Sequence, residues 1–128
     1  MRTLLAVVFF VALSLAGCPA SGIPDAPNPE AIVIFHNNSG SMCLAALNWL
    51  ADIASEHPAL VVEEHLTYQA GERALLRRFE SRYNASEGVS GNFEYLPIIF
   101  FQGHAFSGFD AEVGQELEAL MAAAQKAA

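Results

Sequence analysis

Residues 31–56, AIVIFHNNSGSMCLAALNWLADIASE, hold the reading on which the fold turns. Ala31-Ile32-Val33-Ile34-Phe35 is an unbroken apolar run rich in β-branched side chains, the pattern of a strand buried on both faces. A polar stretch from His36 to Gly40 follows. From Ser41 to about Glu56 the apolar positions 43, 46, 47, 50, 53 and 54 recur at helical spacing, and Pro58 ends the run. A buried strand feeding a helix through a short polar loop points to an α/β layer architecture.

The alternation continues down the chain. Leu60 to Leu66 reads as a second strand, and Gly71 precedes a helical stretch in which Leu75, Leu76, Phe79 and Tyr83 share a face. Asn84–Glu94 reads as an acidic, glycine-containing loop. Ile98–Phe101 and Ala105-Phe106 flank Gly103-His104 as a tight hairpin. Asp110 suits the N-cap of a last helix carrying Val113, Leu117, Leu120 and Met121 on one side. The order β-α-β-α-β-β-α predicts a mixed central sheet with helices on both faces. At 128 residues there is room for one such domain, assigned to residues 31–128.

With 53% hydrophobic and 16% charged residues the chain can bury a real core, which excludes a disordered protein. Fourteen acidic against six basic residues give a formal charge of −8, and no Lys/Arg cluster exceeds Arg77-Arg78. That field repels phosphate backbones, so nucleic acid is not an expected partner. His36, His57, His65 and His104 show no short ligand spacing, and no glycine-rich phosphate loop is present, so neither metal nor cofactor is expected.

Three segments carry the chemistry. The first is Val33 through Cys43, where the first strand enters its helix with a lone cysteine. The second is Leu96-Pro97-Ile98-Ile99-Phe100, an apolar residue and a proline ahead of the hairpin. The third runs from Gly103 to Asp110, at the opening of the last helix. Together with the element order they resemble the thioredoxin-like superfamily over about residues 31–124. The resemblance implies a thioredoxin fold, a cis bond at Leu96–Pro97 and a site where that proline faces the cysteine loop. In a gapless alignment Gly40 takes the first position of the family's C-x-x-C and Cys43 the second, and Leu50-Ala51-Asp52-Ile53-Ala54 keeps register with the following helix. The third segment is similar in spacing to the glutaredoxin branch, where a Gly-Gly-x-Asp segment opens the last helix.

The departures bear on function. Gly40 stands where the attacking cysteine would be, and Ile34 where typical thioredoxins bury an acid. A two-cysteine exchange cycle needs both an attacking thiolate and a resolving thiol, so ordinary thioredoxin turnover is not expected. Two readings of Cys43 stay open. With Ser41 as the helix cap, Cys43 lies in the first turn, where backbone N–H groups favour a thiolate. Alternatively it is a small apolar residue on the buried stripe with Leu47 and Leu50. His36 is a candidate proton acceptor or a solvated loop histidine, and His104 with Glu94-Tyr95 a candidate groove rim.

Two functions follow. One is a single-cysteine thiol–disulfide protein acting through mixed disulfides at Cys43 with a protein or small thiol; the Ser107–Asp110 helix start could receive a carboxylate of such a ligand. The other is a non-catalytic module that holds a peptide or partner protein between Gly40-Ser41-Met42 and Leu96-Pro97.

The N-terminal segment assigns the compartment. Met1-Arg2 and an apolar run from Leu4 to Ala16 fit a signal peptide, being too short for the roughly 20 residues of a spanning helix. The run ends in Leu15-Ala16-Gly17-Cys18, which resembles the lipobox of bacterial lipoprotein precursors. That resemblance implies cleavage after residue 17, a lipid on Cys18, and a protein anchored in the cell envelope facing the periplasm or the outside. Residues 19–30, PASGIPDAPNPE, contain four prolines and read as an extended tether reaching up to roughly 35 Å from the lipid.

Overall fold

The computed structural model describes residues 24–127; the signal segment, Cys18 and residues 19–23 lie outside them. The chain forms β1 (Ala31–His36), α1 (Ser41–Glu56), β2 (Val61–Leu66), α2 (Glu72–Glu80), β3 (Glu87–Gly88), β4 (Ile98–Phe101), β5 (His104–Ser107) and α3 (Ala111–Ala127). The sheet has five strands in the order β2-β1-β4-β5-β3. β1 runs parallel to β2 and antiparallel to β4, β4 and β5 form the hairpin, and β3 lies parallel to β5. The fold is therefore α/β with a mixed sheet and three helices. Among the described residues no helix is long and apolar enough to cross a membrane.

Each face of the sheet has its own core because alternate strand residues point to opposite sides. Ile32, Ile34, Ile99, Phe101 and Phe106 pack under α1 (Ala46, Leu50, Ile53) and α3 (Val113, Leu117, Met121). Ala31, Val33, Phe35, Ile98, Phe100 and Ala105 pack under α2 through Phe79, with Leu75, Leu76 and Tyr83 at its margin. Phe35, Phe79 and Phe100 meet edge to face, with ring centroids 5.7–6.1 Å apart, the geometry their quadrupoles favour. Both faces of β1 are covered, as its apolar run requires.

Several local expectations are met. The hairpin forms, but one residue earlier than expected: its turn is Gln102-Gly103, both at positive φ (49° and 79°), and His104 is already in β5, paired with Phe101. Asp110 caps α3, its Oδ1 accepting the Val113 N–H at 2.9 Å. Others are corrected. The segment 84–94 is not a plain loop: it contributes β3, and Ser86 and Ser90 are buried within it. On α1 the buried stripe is 43, 46, 50 and 53, whereas Leu47 is half-buried and Ala54 exposed. Ser41 is not the cap of α1. That place belongs to Gly40, at φ 84° and ψ 152°, a conformation open essentially to glycine alone. Finally, residues 25–30 do not stand off as an extended tether. The Arg82 Nε–H donates to the Asp25 carbonyl at 3.0 Å, Arg78 lies 3.6 Å from the Asp25 carboxylate, and the Gln102 N–H donates to the Pro29 carbonyl.

Candidate functional site

β1 and β2 end, and β4 begins, at the same end of the sheet. The last β1–β4 pair is Phe35–Ile98, so the next residues, His36 and Pro97, stand side by side where the two chains leave the ladder. The Leu96–Pro97 bond is cis and Pro97 is buried. The proline loop is held against β5 from the other side. Ser107 Oγ accepts the Tyr95 N–H at 3.0 Å and donates back to the Tyr95 carbonyl at 2.9 Å, and the Gly108 N–H reaches both the Tyr95 and Pro97 carbonyls at 2.9 Å. Gly108 has φ 78°, and a Cβ there would lie 2.7 Å from Val89 Cβ and 3.3 Å from Met42 Sδ. Three segments therefore converge: the start of α1 through Met42, the proline loop, and the β5–α3 junction.

His36 is fully buried rather than solvated. Its Nδ1 accepts the Asn38 N–H at 2.9 Å, so the neutral ring carries its hydrogen on Nε2 and donates it to Glu64 Oε1 at 2.7 Å. This bond network shapes the Asn37–Gly40 loop, in which Asn38 also adopts positive φ (58°). Its position leaves His36 as a support for the loop.

Cys43 lies in the first turn of α1 with 2% of its surface exposed. Burial pushes its thiol above the ordinary value, and a backbone hydrogen bond from Asn37 pulls the other way with smaller effect. Desolvation disfavours the thiolate, and here it outweighs the Asn37 hydrogen bond. Cys43 is the free cysteine of the described residues. An internal disulfide partner for it is thus not among them.

Of the other expected site residues, Gly40 and Ser41 are exposed, Met42 is half-buried against the α1/α3 core, and Leu96 is half-buried beside Pro97. His104 does not join the rim: it opens β5 beside Phe101, about 10 Å along the strand from Ser107, and pairs with Glu87 at 2.7 Å. Tyr95 does join it, 46% exposed.

Comparison with family models, with curated proteins and with solved structures gives no match.

Sequence reasoning missed part of this surface. Leu44, Tyr68 and Val89 are 50%, 62% and 42% exposed; Leu44 lies in the first turn of α1, Tyr68 just after β2 at one edge of the sheet, and Val89 just after β3 at the other. The available signal was Leu44, an apolar residue off the buried stripe of its own helix. A groove of about 190 Å³ lies on the α2 side, between Thr67, Arg73, Leu76, Arg77, Glu80 and Leu96. Larger hollows of about 360 and 440 Å³ lie elsewhere, the first beside His57 and Met121 and the second between Pro27 and Tyr83. A groove lined by apolar and charged side chains, with the exposed Tyr68 and Tyr95 next in sequence to its wall, can bind an extended chain. The thiol of Cys43 is not presented to it, being buried.

Proposed function

We propose that this chain is a membrane-anchored, thioredoxin-fold module of the bacterial cell envelope that holds an extended peptide or partner segment without thiol–disulfide turnover. The fold assignment is supported by the β2-β1-β4-β5 order with one parallel and two antiparallel pairings. It is supported further by α1 and α3 on one face, α2 on the other, and the cis-proline beside the β1–α1 loop. β3 is an addition to that core.

The observation that carries the functional reading is the contrast between Cys43, 2% exposed with its thiol pushed up, and the exposed Tyr68 and Tyr95, which adjoin in sequence the groove residues Thr67 and Leu96. A buried, protonated thiol is a poor nucleophile, whereas exposed aromatic side chains beside a groove suit an interaction surface. The scaffold keeps its proline loop and cleft, and Gly40 meets a backbone need that a cysteine would meet only under strain.

Selection of a phage-displayed random nonapeptide library on the full chain in detergent tests this. Wild type and Cys43→Ala should retain the same apolar- and aromatic-rich sequences with the same affinity. Loss of binding in Cys43→Ala, or retention only through dithiothreitol-sensitive mixed disulfides, would favour the redox reading instead. The anchor has its own test. Cys18→Ser should abolish detergent partitioning or processing, and unchanged membrane attachment would remove the lipoprotein assignment.

A further inference from the structure

The charges of this chain are unevenly placed. Its formal charge is −8, yet Arg73, Arg77, Arg78 and Arg82 all fall on α2 and the turn after it. The four have different duties. Arg78 and Arg82 bind Asp25 and so clasp the segment that leads into β1. Arg73 and Arg77, one helical turn apart and therefore on one face, line the groove that Leu96 and Thr67 close from the proline side. Both are exposed, and among the described residues Arg73 has no ion-pair partner. Glu80 is the acid in the same groove; burial pushes its carboxyl up, and Arg77 draws it down with smaller effect.

Resting on the peptide-binding reading above, we infer that the Arg73–Arg77 groove is a carboxylate subsite that makes the module selective for extended segments pairing apolar or aromatic residues with an acid. The apolar part lies against Tyr95, Leu96 and Tyr68, and the Asp, Glu or C-terminal carboxylate reaches the two guanidinium groups. Two features favour this occupant. The β1–β4 ladder stops at Phe35–Ile98, so the chain at Leu96 runs outside the sheet along the groove wall, beside any extended segment that enters. The chain carries a formal charge of −8, so an anionic ligand is disfavoured over most of its surface and favoured where α2 presents Arg73 and Arg77. Guanidinium forks match carboxylates in shape as well as charge.

The library selection reads this out directly. Peptides retained by the wild-type chain should carry Asp or Glu at a fixed distance from an aromatic or aliphatic residue. In fluorescence anisotropy, a retained peptide and its Glu→Gln counterpart should differ about five- to tenfold in affinity, less at high salt. The Arg73→Gln/Arg77→Gln chain should bind the acidic peptide as weakly as wild type binds the amide peptide, with no further loss when both changes are combined. These are exposed positions, and unchanged thermal melting confirms that the variant is folded. Apolar enrichment without an acid overturns the carboxylate subsite and leaves the binding module standing. No enrichment of any kind overturns both. Arginine-dependent sedimentation with phosphatidylglycerol vesicles, with no acid preference among peptides, would reassign the basic face to lipid and overturn it as well.

Discussion

Gly108→Ala should be the most damaging single methyl group that can be added at this site. Residue 108 sits at φ 78°, and its new Cβ would lie 2.7 Å from Val89 Cβ and 3.0 Å from Val89 Cγ2. Left-handed backbone costs a non-glycine residue roughly 1–2 kcal/mol. Forcing apart a packed contact of that kind costs about 1–3 kcal/mol more, because the obstructing atom is a Cβ fixed to the main chain and not the tip of a flexible side chain. Gly103→Ala is the control: its φ is 79°, but a Cβ there meets nothing within 4 Å, so only the backbone cost of roughly 1–2 kcal/mol applies. The difference of about 1–3 kcal/mol should appear as a melting temperature lower by roughly 5–20 °C in Gly108→Ala than in Gly103→Ala. Urea and thermal unfolding followed by Trp49, the one tryptophan in the chain, measures it. Because Val89 and Met42 are the displaced neighbours, Gly108→Ala should also weaken peptide binding, and Gly103→Ala, at the far end of the sheet, should not. Equal stability of the two variants would refute the close seating of the proline loop, β3 and the α1 start around residue 108.

Two further outcomes follow from the hydrogen bonds. His36→Leu keeps the apolar volume but removes the acceptor of the Asn38 N–H and the donor to Glu64; unfolding should show a loss of about 1–3 kcal/mol, while Glu64→Gln, at a half-exposed position, costs under about 1 kcal/mol. Asp25→Ala should speed hydrogen exchange of the Gln102 amide, which donates to Pro29, with little change in global stability. Unchanged exchange would mean that residues 25–30 are held without the Asp25 carboxylate, by the Arg82 bond to the Asp25 carbonyl and by the hairpin.

The elements were legible because they obey strong local rules. Ala31–Phe35 is apolar at every position and became the strand buried on both faces, and Asp110 capped its helix; the cis bond at Leu96–Pro97 was expected from the resemblance and not from a local rule. What was not legible depends on neighbours far along the chain. His36 read as a loop residue because nothing local announces Glu64, 28 residues away, as its partner. β3 is two residues long, too short for any periodicity, and is held by pairing with β5. Gly40 read as a lost cysteine; its backbone shows instead a position where glycine is required. The tether read as free because its prolines say nothing of Arg78 and Arg82. The groove beside Arg73 and Arg77 arises only when α2 is laid against Leu96, so a helical pattern alone could not reveal it.

The claim that Cys43 is a packing residue and not a nucleophile is tested most directly by titrating its thiol in the folded, full-length Cys18→Ser chain, through the rate of iodoacetamide alkylation against pH. Burial holds the folded thiol above its ordinary value. Stability contributed by the protonated thiol is therefore complete below the unfolded value of about 8.5 and is lost as pH rises from there towards the folded one, with a slope no steeper than about 1.4 kcal/mol per pH unit. That slope should vanish in Cys43→Ala. Alkylation at pH 7 should be slow and limited by local opening, quickening only in alkali or on addition of urea. A thiol that titrates well below about 8.5 and reacts rapidly at neutral pH in the intact fold would contradict the account and return Cys43 to redox chemistry.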